Sequence, residues 1–334
     1  MEATNDMTKK SRERNSQENK RSSKVRSMVI SASFILTLLV VLTANEAVQA
    51  RATQDANENM THLSDESAFR RVQVGDIEIA YKIFGKGDPV VLIHGYGGSM
   101  DIWDPKLLEA LAENHTVIVF NNRGVGNTTV GLKQYSIEQL ADDTAGLLNV
   151  LGINKSSVLG WSMGGMVAQE FALNHPDKVN KLILYSSTCG GNESLLPEKE
   201  VLDTFSNKTG TPTERIARLM PLLFPEEWQK AHPNYQTAMP RNTQVTPNQT
   251  LNVALDAALN WGGTCNQLQQ IDQPTLVIIG TDDKMMLPSN SLTIAERLPD
   301  AWLIQIDGGG HGLMYQYPES VGKMALTFLE RGDN

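Results

Sequence analysis

A serine hydroxyl is a poor nucleophile at neutral pH, and three stretches of this chain supply what would activate one. The first is Gly160-Trp161-Ser162-Met163-Gly164-Gly165, a serine set between glycines where an apolar run gives way to helical spacing. A strand that turns into a helix within two residues forces the corner residue into strained backbone angles, which is tolerable only beside residues with no bulky side chain. Gly160 and Gly164 leave that room, so the stretch reads as a nucleophile elbow that holds an exposed Ser162 hydroxyl clear of the sheet. A plain Gly/Ser loop is the other reading of these six residues taken alone. The second stretch, Gly280-Thr281-Asp282-Asp283, follows the apolar run 275–279, and the third, Gly308-Gly309-Gly310-His311-Gly312, follows 302–306. Each places a reactive side chain just past the carboxyl end of a strand. Ser, then Asp, then His is the order that an elbow on such a sheet requires. Ser162 is then the nucleophile, His311 its general base and Asp283 the group that orients the imidazole, with Asp282 as the competitor for that last role.

Charge developing on the attacked oxygen needs preorganised N–H donors. Met163, first in the new helix, offers one. Tyr96 in His94-Gly95-Tyr96-Gly97-Gly98, a glycine-rich stretch leaving the run 89–93, offers the other, while His94 itself reads as structural. The six histidines are scattered and the two cysteines stand far apart, so no metal-type cluster is present and neither a metal nor a cofactor is expected.

These groups need a scaffold, and the hydrophobic pattern describes one. Alternation at 71–74 and 77–81 around Gly75-Asp76 reads as a β-hairpin. Continuous apolar runs at 89–93 and 115–120 read as strands buried on both faces, and 156–159, 181–185, 275–279 and 302–306 read as further strands. Helical spacing lies between them at 105–113, from 137 to 151, after Ser162, at 291–298 and at 318–329. Strands alternating with helices mean an α/β fold, a doubly wound and mostly parallel sheet. Residues from about 190 to 262 break the alternation, cut by Pro197, Pro212, Pro221, Pro225, Pro233, Pro240 and Pro247 into short helices. Apolar residues there, such as Leu219, Leu222, Leu223, Phe224 and Trp228, need a surface to cover, so the segment reads as a helical cap over the sheet.

The 334 residues, 40% of them hydrophobic, suffice for a sizeable core. Residues 1–28 are polar and basic, and 29–44 are almost wholly apolar, too short to span a bilayer comfortably. With Ala47-Val48-Gln49-Ala50 behind them, residues 1–50 read as a signal peptide cleaved after Ala50 or as an N-terminal anchor, and an over-extended start is a third reading. The protein is therefore expected to be exported, either extracellular or membrane-anchored on the outer side. Residues 51–67 read as a linker. Beyond residue 50, Lys and Arg number 21 against 33 Asp and Glu. That acidic body should repel nucleic acid and anionic lipid surfaces, which leaves a small-molecule substrate as the expected partner.

Taken together, the elbow, His94-Gly95-Tyr96-Gly97-Gly98 and Gly309-Gly310-His311-Gly312 resemble the α/β-hydrolase fold family over residues 68–331. By motif the chain is similar to small-ester and lactone hydrolases, including the enol-lactonase-like and cofactor-free haloperoxidase-like groups, which carry a Ser-Met-Gly-Gly elbow. Two features depart from the family pattern. Asn121 stands where the family usually has Asp in Asp-x-Arg-Gly, and Pro288 lies five residues after Asp283 where four is commoner. Dehalogenase-like and epoxide-hydrolase-like members use Asp at the elbow, so Ser162 argues against both.

The resemblance and the residues together imply a serine hydrolase acting on a carboxylic ester or lactone with a medium-sized apolar part. Hydrolysis of a C–C bond, acyl transfer to an acceptor other than water, and ligand binding without turnover are the alternatives. Cys189 and Cys265 stand at the two ends of the cap, on strands expected to be neighbours on this fold, so they read either as a disulfide or as two buried thiols.

Overall fold

Runs such as Val90-Val91-Leu92-Ile93 and Val117-Ile118-Val119-Phe120 have no polar face to offer water, and in the computed structural model all eight of these side chains are buried. The structure describes residues 69–240 and 243–332. Residues 1–50 and 51–67, on which the targeting and linker expectations fall, lie outside them.

Eight strands form one sheet in the order β1-β2-β4-β3-β5-β6-β7-β8. They are β1 Arg70–Val74, β2 Ile77–Phe84, β3 Asp88–Ile93, β4 His115–Phe120, β5 Ser156–Trp161, β6 Val179–Tyr185, β7 Thr275–Gly280 and β8 Ala301–Ile306. The hairpin β1–β2 joins antiparallel to the edge of β4, and every pairing from β4 through β3, β5, β6 and β7 to β8 is parallel.

Alternate residues of one strand serve different layers. Val91 and Ile93 pack with α2 (Ile137–Val150), α3 (Met163–Asn174) and α8 (Pro288–Arg297). Val90 and Leu92 pack on the other face with α1 (Pro105–Ala112), the short α9 (Leu313–Gln316) and α10 (Pro318–Leu329). Local chemistry sets the helix starts. Asp104 caps α1 by accepting from the Lys106 N–H at 2.9 Å, with Pro105 at the first position, and Ser136 caps α2 from the Gln139 N–H at 3.1 Å.

Between β6 and β7 the chain leaves the sheet and forms α4 (Lys199–Ser206), α5 (Pro212–Leu223), α6 (Glu226–Ala231) and α7 (Asn248–Leu259). Prolines divide this insertion as their missing N–H requires: Pro212 opens α5, Pro225 stands at the start of α6 and Pro247 at the start of α7. Pro221 differs, lying inside the last turn of α5 without breaking it. Thr211 and Glu214 close a reciprocal capping box at the start of α5.

The register brings four loops together at the carboxyl ends of the strands. Ile93 lies opposite Gly160, Trp161 opposite Tyr185, Tyr185 opposite Ile278, and Gly280 opposite Ile306. The residues that follow these positions, at 94–98, 162–165, 281–283 and 307–312, share one edge of the sheet.

Candidate active site

Ser162 joins β5 to α3 with φ 58° and ψ −122°, a backbone conformation that a side chain rarely tolerates. Its neighbours explain how it survives. A Cβ on Gly160 would stand 2.4 Å from the Gly164 carbonyl oxygen, and one on Gly164 would stand 2.0 Å from that of Ile93. Backbone bonds then fix the corner: Ser162 N–H donates to Tyr185 O at 2.9 Å, and Ser162 O accepts from Gly165 N–H and Ser187 Oγ, each at 2.9 Å. Although it stands at the N-cap of α3, the Ser162 hydroxyl makes no capping bond, so it is not spent on the helix. The expectation of an exposed serine is corrected here. Ser162 is 8% exposed, because Gly95 packs against it and it opens into a cavity roofed by the insertion.

Asp283 and His311 are brought together by the β7–β8 pairing. His311 Nδ1 lies 2.8 Å from Asp283 Oδ2, and both residues are 2% exposed. The other carboxylate oxygen, Oδ1, accepts the N–H groups of Met285 at 2.9 Å and Met286 at 2.8 Å, which fixes the plane of the carboxylate. A carboxylate only accepts, so Nδ1 carries a proton in this pair, and Nε2 is the ring nitrogen left to exchange one. Asp282 is exposed, and its Oδ1 takes a bond from its neighbour Thr281. The late Pro288 begins α8 without disturbing Asp283.

Of glycines 308–310, Gly308 alone has a positive φ (64°), and Gly310 answers to contact rather than to conformation: a Cβ there would meet the Leu223 carbonyl oxygen at 2.6 Å. The end of α5 thus rests on the His311 loop, and Gly312 N–H donates to Leu223 O at 2.8 Å. Two further side chains that sequence reasoning missed hold the same loop. Tyr185 Oη donates to His311 O at 2.9 Å and accepts from Met314 N–H at 3.0 Å, while Gln316 Oε1 accepts Gly310 N–H at 2.7 Å. Burial raises the Tyr185 phenol well above its ordinary pKa, so it stays a neutral donor.

Met163 is the first residue of α3, where an N–H has no carbonyl one turn back. Tyr96 sits in the turn closed by Gly98 N–H to Gly95 O at 3.4 Å, with Gly97 at φ 68°. Both residues line the cavity with Ser162 and His311. His94 lines it too, with its ring held between Trp103 and Trp161 at centroid distances of 5.2 and 5.1 Å. Burial lowers its pKa to about 4, so it is neutral at physiological pH.

Around the substituted Asp-x-Arg-Gly position, Asn121 uses both ends of its amide. Oδ1 accepts Met100 N–H at 2.7 Å, and Nδ2 donates to Gln244 Oε1, tying the β4 loop to the chain before α7. Arg123 is buried, with Nε and Nη2 each 2.8 Å from the Asp143 carboxylate and Nη2 3.1 Å from Asp76. The Arg123 hydrogen bond is the foremost reason the Asp76 carboxyl is held well below its ordinary range. At the roots of the insertion Cys189 and Cys265 form a disulfide with their Cα atoms 4.9 Å apart.

A sequence profile described as alpha/beta hydrolase fold matches residues 88–318. Among curated proteins, the chain is 29% identical over 259 residues to a protein named putative carbamate hydrolase RutD of Azorhizobium caulinodans, covering 76% of this chain and 96% of that one. Among solved structures, an alpha/beta hydrolase fold protein from Chitinophaga pinensis superposes with a TM-score of 0.69 at 26% identity, covering 80% of this chain and 98% of that one. A thermophilic esterase from Thermogutta terrifontis, determined with malate bound, gives a TM-score of 0.67 at 25% identity over 79% and 98%.

Proposed function

The chain belongs to the alpha/beta hydrolase fold family and is a hydrolase, and from that premise we propose that it cleaves a carboxylic ester or lactone through a Ser162–His311–Asp283 triad. What carries this reading is the buried Asp283–His311 pair at 2.8 Å, whose histidine opens into the same cavity as a strained serine with an uncommitted hydroxyl. Ser162 Oγ attacks the carbonyl carbon as its proton passes to His311 Nε2. The N–H groups of Tyr96 and Met163 take the oxyanion. The bond to the leaving oxygen breaks, and His311 returns the proton to that oxygen. Water then attacks the acyl carbon as its proton passes to His311, the bond from that carbon to Ser162 Oγ breaks, His311 returns the proton to Oγ, and the acid is released. Asp283 holds the imidazole in the Nδ1–H tautomer throughout. An esterase among the structural relatives supports an ester substrate.

The same proposal includes export. Residues 1–50 carry the pattern of a signal peptide or outer-side anchor, and a disulfide at the cap roots suits an oxidising compartment.

The test is covalent labelling with a fluorophosphonate followed by peptide mapping, alongside turnover of p-nitrophenyl acetate. Label on Ser162, and turnover reduced to below about 1% in Ser162→Ala, are expected. A variant that keeps several per cent of activity, or label on another residue, overturns the assignment. Absence of both label and turnover would leave a binding protein.

A further inference from the structure

The cavity over Ser162 has a volume of about 980 Å³, at the upper end of the roughly 300–1,000 Å³ usual for small-molecule sites. Among the described residues that line it there is no Asp, Glu, Lys or Arg. The two histidines in its wall are His311 of the triad and the neutral His94. Six methionines, Met163, Met166, Met220, Met239, Met285 and Met286, contribute flexible apolar surface that adapts to chains of varied conformation.

One indole of this wall is satisfied elsewhere, while His94 Nε2, Tyr96 Oη and Trp161 Nε1 find no hydrogen-bond partner among the described residues. Trp261 Nε1 donates to the buried Glu170 at 2.8 Å, which turns the indole N–H to Glu170 and leaves ring surface for the cavity. At the other extreme of exposure, Leu195, Leu196, Ile216 and Leu259 line the cavity while remaining 57%, 62%, 46% and 51% exposed. Isolated exposed aliphatic side chains are ordinary, but four that also line one cavity make an apolar threshold between it and solvent. That threshold is built: buried Asn290 grips the Leu195 backbone twice, accepting its N–H and donating to its carbonyl, each at 2.8 Å.

Resting on the ester-or-lactone reading above, we propose that the substrate is a neutral ester or lactone with an alkyl chain of about eight carbons or more, the chain running along the methionine wall toward the Leu195–Leu196 threshold. A carboxylate on the far end of such a chain would lose its hydration with no cation among the described lining residues to meet it, Lys208 Nζ being turned to the Phe205 carbonyl at 2.8 Å and to the face of Tyr96, 5.2 Å from the ring centroid. Each buried methylene raises kcat/KM by up to about four-fold where its transfer energy is used in the transition state.

The experiment compares three p-nitrophenyl esters on the full chain: acetate, octanoate and the mono-ester of octanedioic acid, which has the octanoate length with a terminal carboxylate. Octanoate is expected to exceed acetate in kcat/KM by about 100-fold or more, and the octanedioate mono-ester to fall below octanoate by about 100-fold. Leu196→Asp should shrink the octanoate-to-acetate ratio about ten-fold. Because the full chain is assayed, Arg241, which follows the lining Pro240 and lies outside the described residues, is tested by the same anionic arm. Equal turnover of acetate and octanoate, or of octanoate and its anionic counterpart, overturns the substrate class while leaving the serine mechanism standing. No turnover of any ester together with no fluorophosphonate label on Ser162 overturns both.

Discussion

At the scale of the residue, His94 shows how a conspicuous histidine can serve structure. Its ring fills the space that Gly98 leaves open, since a Cβ on Gly98 would lie 1.9 Å from His94 Cε1. Burial lowers its pKa from 6.5 in the unfolded chain to about 4 in the fold. Between those values the unfolded state binds a proton that the folded state refuses, so stability rises with pH there and is lost as pH falls from about 6.5 toward 4. The shift corresponds to about 3 kcal/mol. Urea midpoints at pH 7 and pH 4.5 should separate by more in the wild type than in His94→Phe, whose aromatic ring keeps the packing between Trp103 and Trp161. Parallel losses in the two proteins would mean that His94 is protonated in the fold. The proposed triad positions could be singled out because each follows an apolar strand at short distance with a glycine within three residues, a purely local signal. Arg123 was not readable in the same way, for its partners Asp76 and Asp143 approach only once β2, the β4 loop and α2 have packed.

At the scale of the element, the strand and helix order could be taken from hydrophobic period because the buried parallel strands are mostly apolar in the sequence. Contacts that hold the site could not, since they join segments far apart in the chain. Tyr185 ends β6 and grips the His311 loop 126 residues later through two bonds, and the α5 end at Leu223 supports that loop from the other side. Removing the phenol hydroxyl leaves the Met314 N–H and the His311 carbonyl buried without their partner, at a cost of about 1–3 kcal/mol. Tyr185 is not among the residues lining the cavity, so substrate binding should be spared. Tyr185→Phe is expected to lower kcat for p-nitrophenyl octanoate by about ten-fold with KM within a factor of two, measured well below its melting temperature. A proportional rise in KM with kcat unchanged would contradict a role in placing His311. The insertion was legible as a run of short helices from its prolines, yet its bearing on His311 was not, because a carbonyl such as Leu223 O leaves no trace in residue type.

At the scale of the whole molecule, a long insertion must be closed at its base or its wall will not keep shape over the site. Here β6 and β7 are adjacent, Tyr185 lying opposite Ile278, so the chain leaves and re-enters the sheet at neighbouring positions. The disulfide Cys189–Cys265 bridges that gap across 76 residues. Beside it stand Thr188, Gly190 and Trp261, all of which line the cavity, so the bridge closes the insertion and steadies the wall on which a chain would lie. Sequence left a disulfide and two buried thiols both open, because pairing depends on how close the strands bring the two roots. On the chain-entropy account, closing a loop of this length stabilises the fold by about 4–5 kcal/mol. The double variant Cys189→Ser, Cys265→Ser should therefore melt about 10 °C or more below the oxidised wild type. It should also show a raised KM for p-nitrophenyl octanoate and a smaller change for acetate, whose short chain does not reach along the wall. Wild type treated with reductant should approach the double variant in both measures, and non-reduced protein should offer no alkylatable thiol after unfolding. Equal melting temperatures for oxidised, reduced and substituted protein would show that the sheet alone holds the roots of the insertion together.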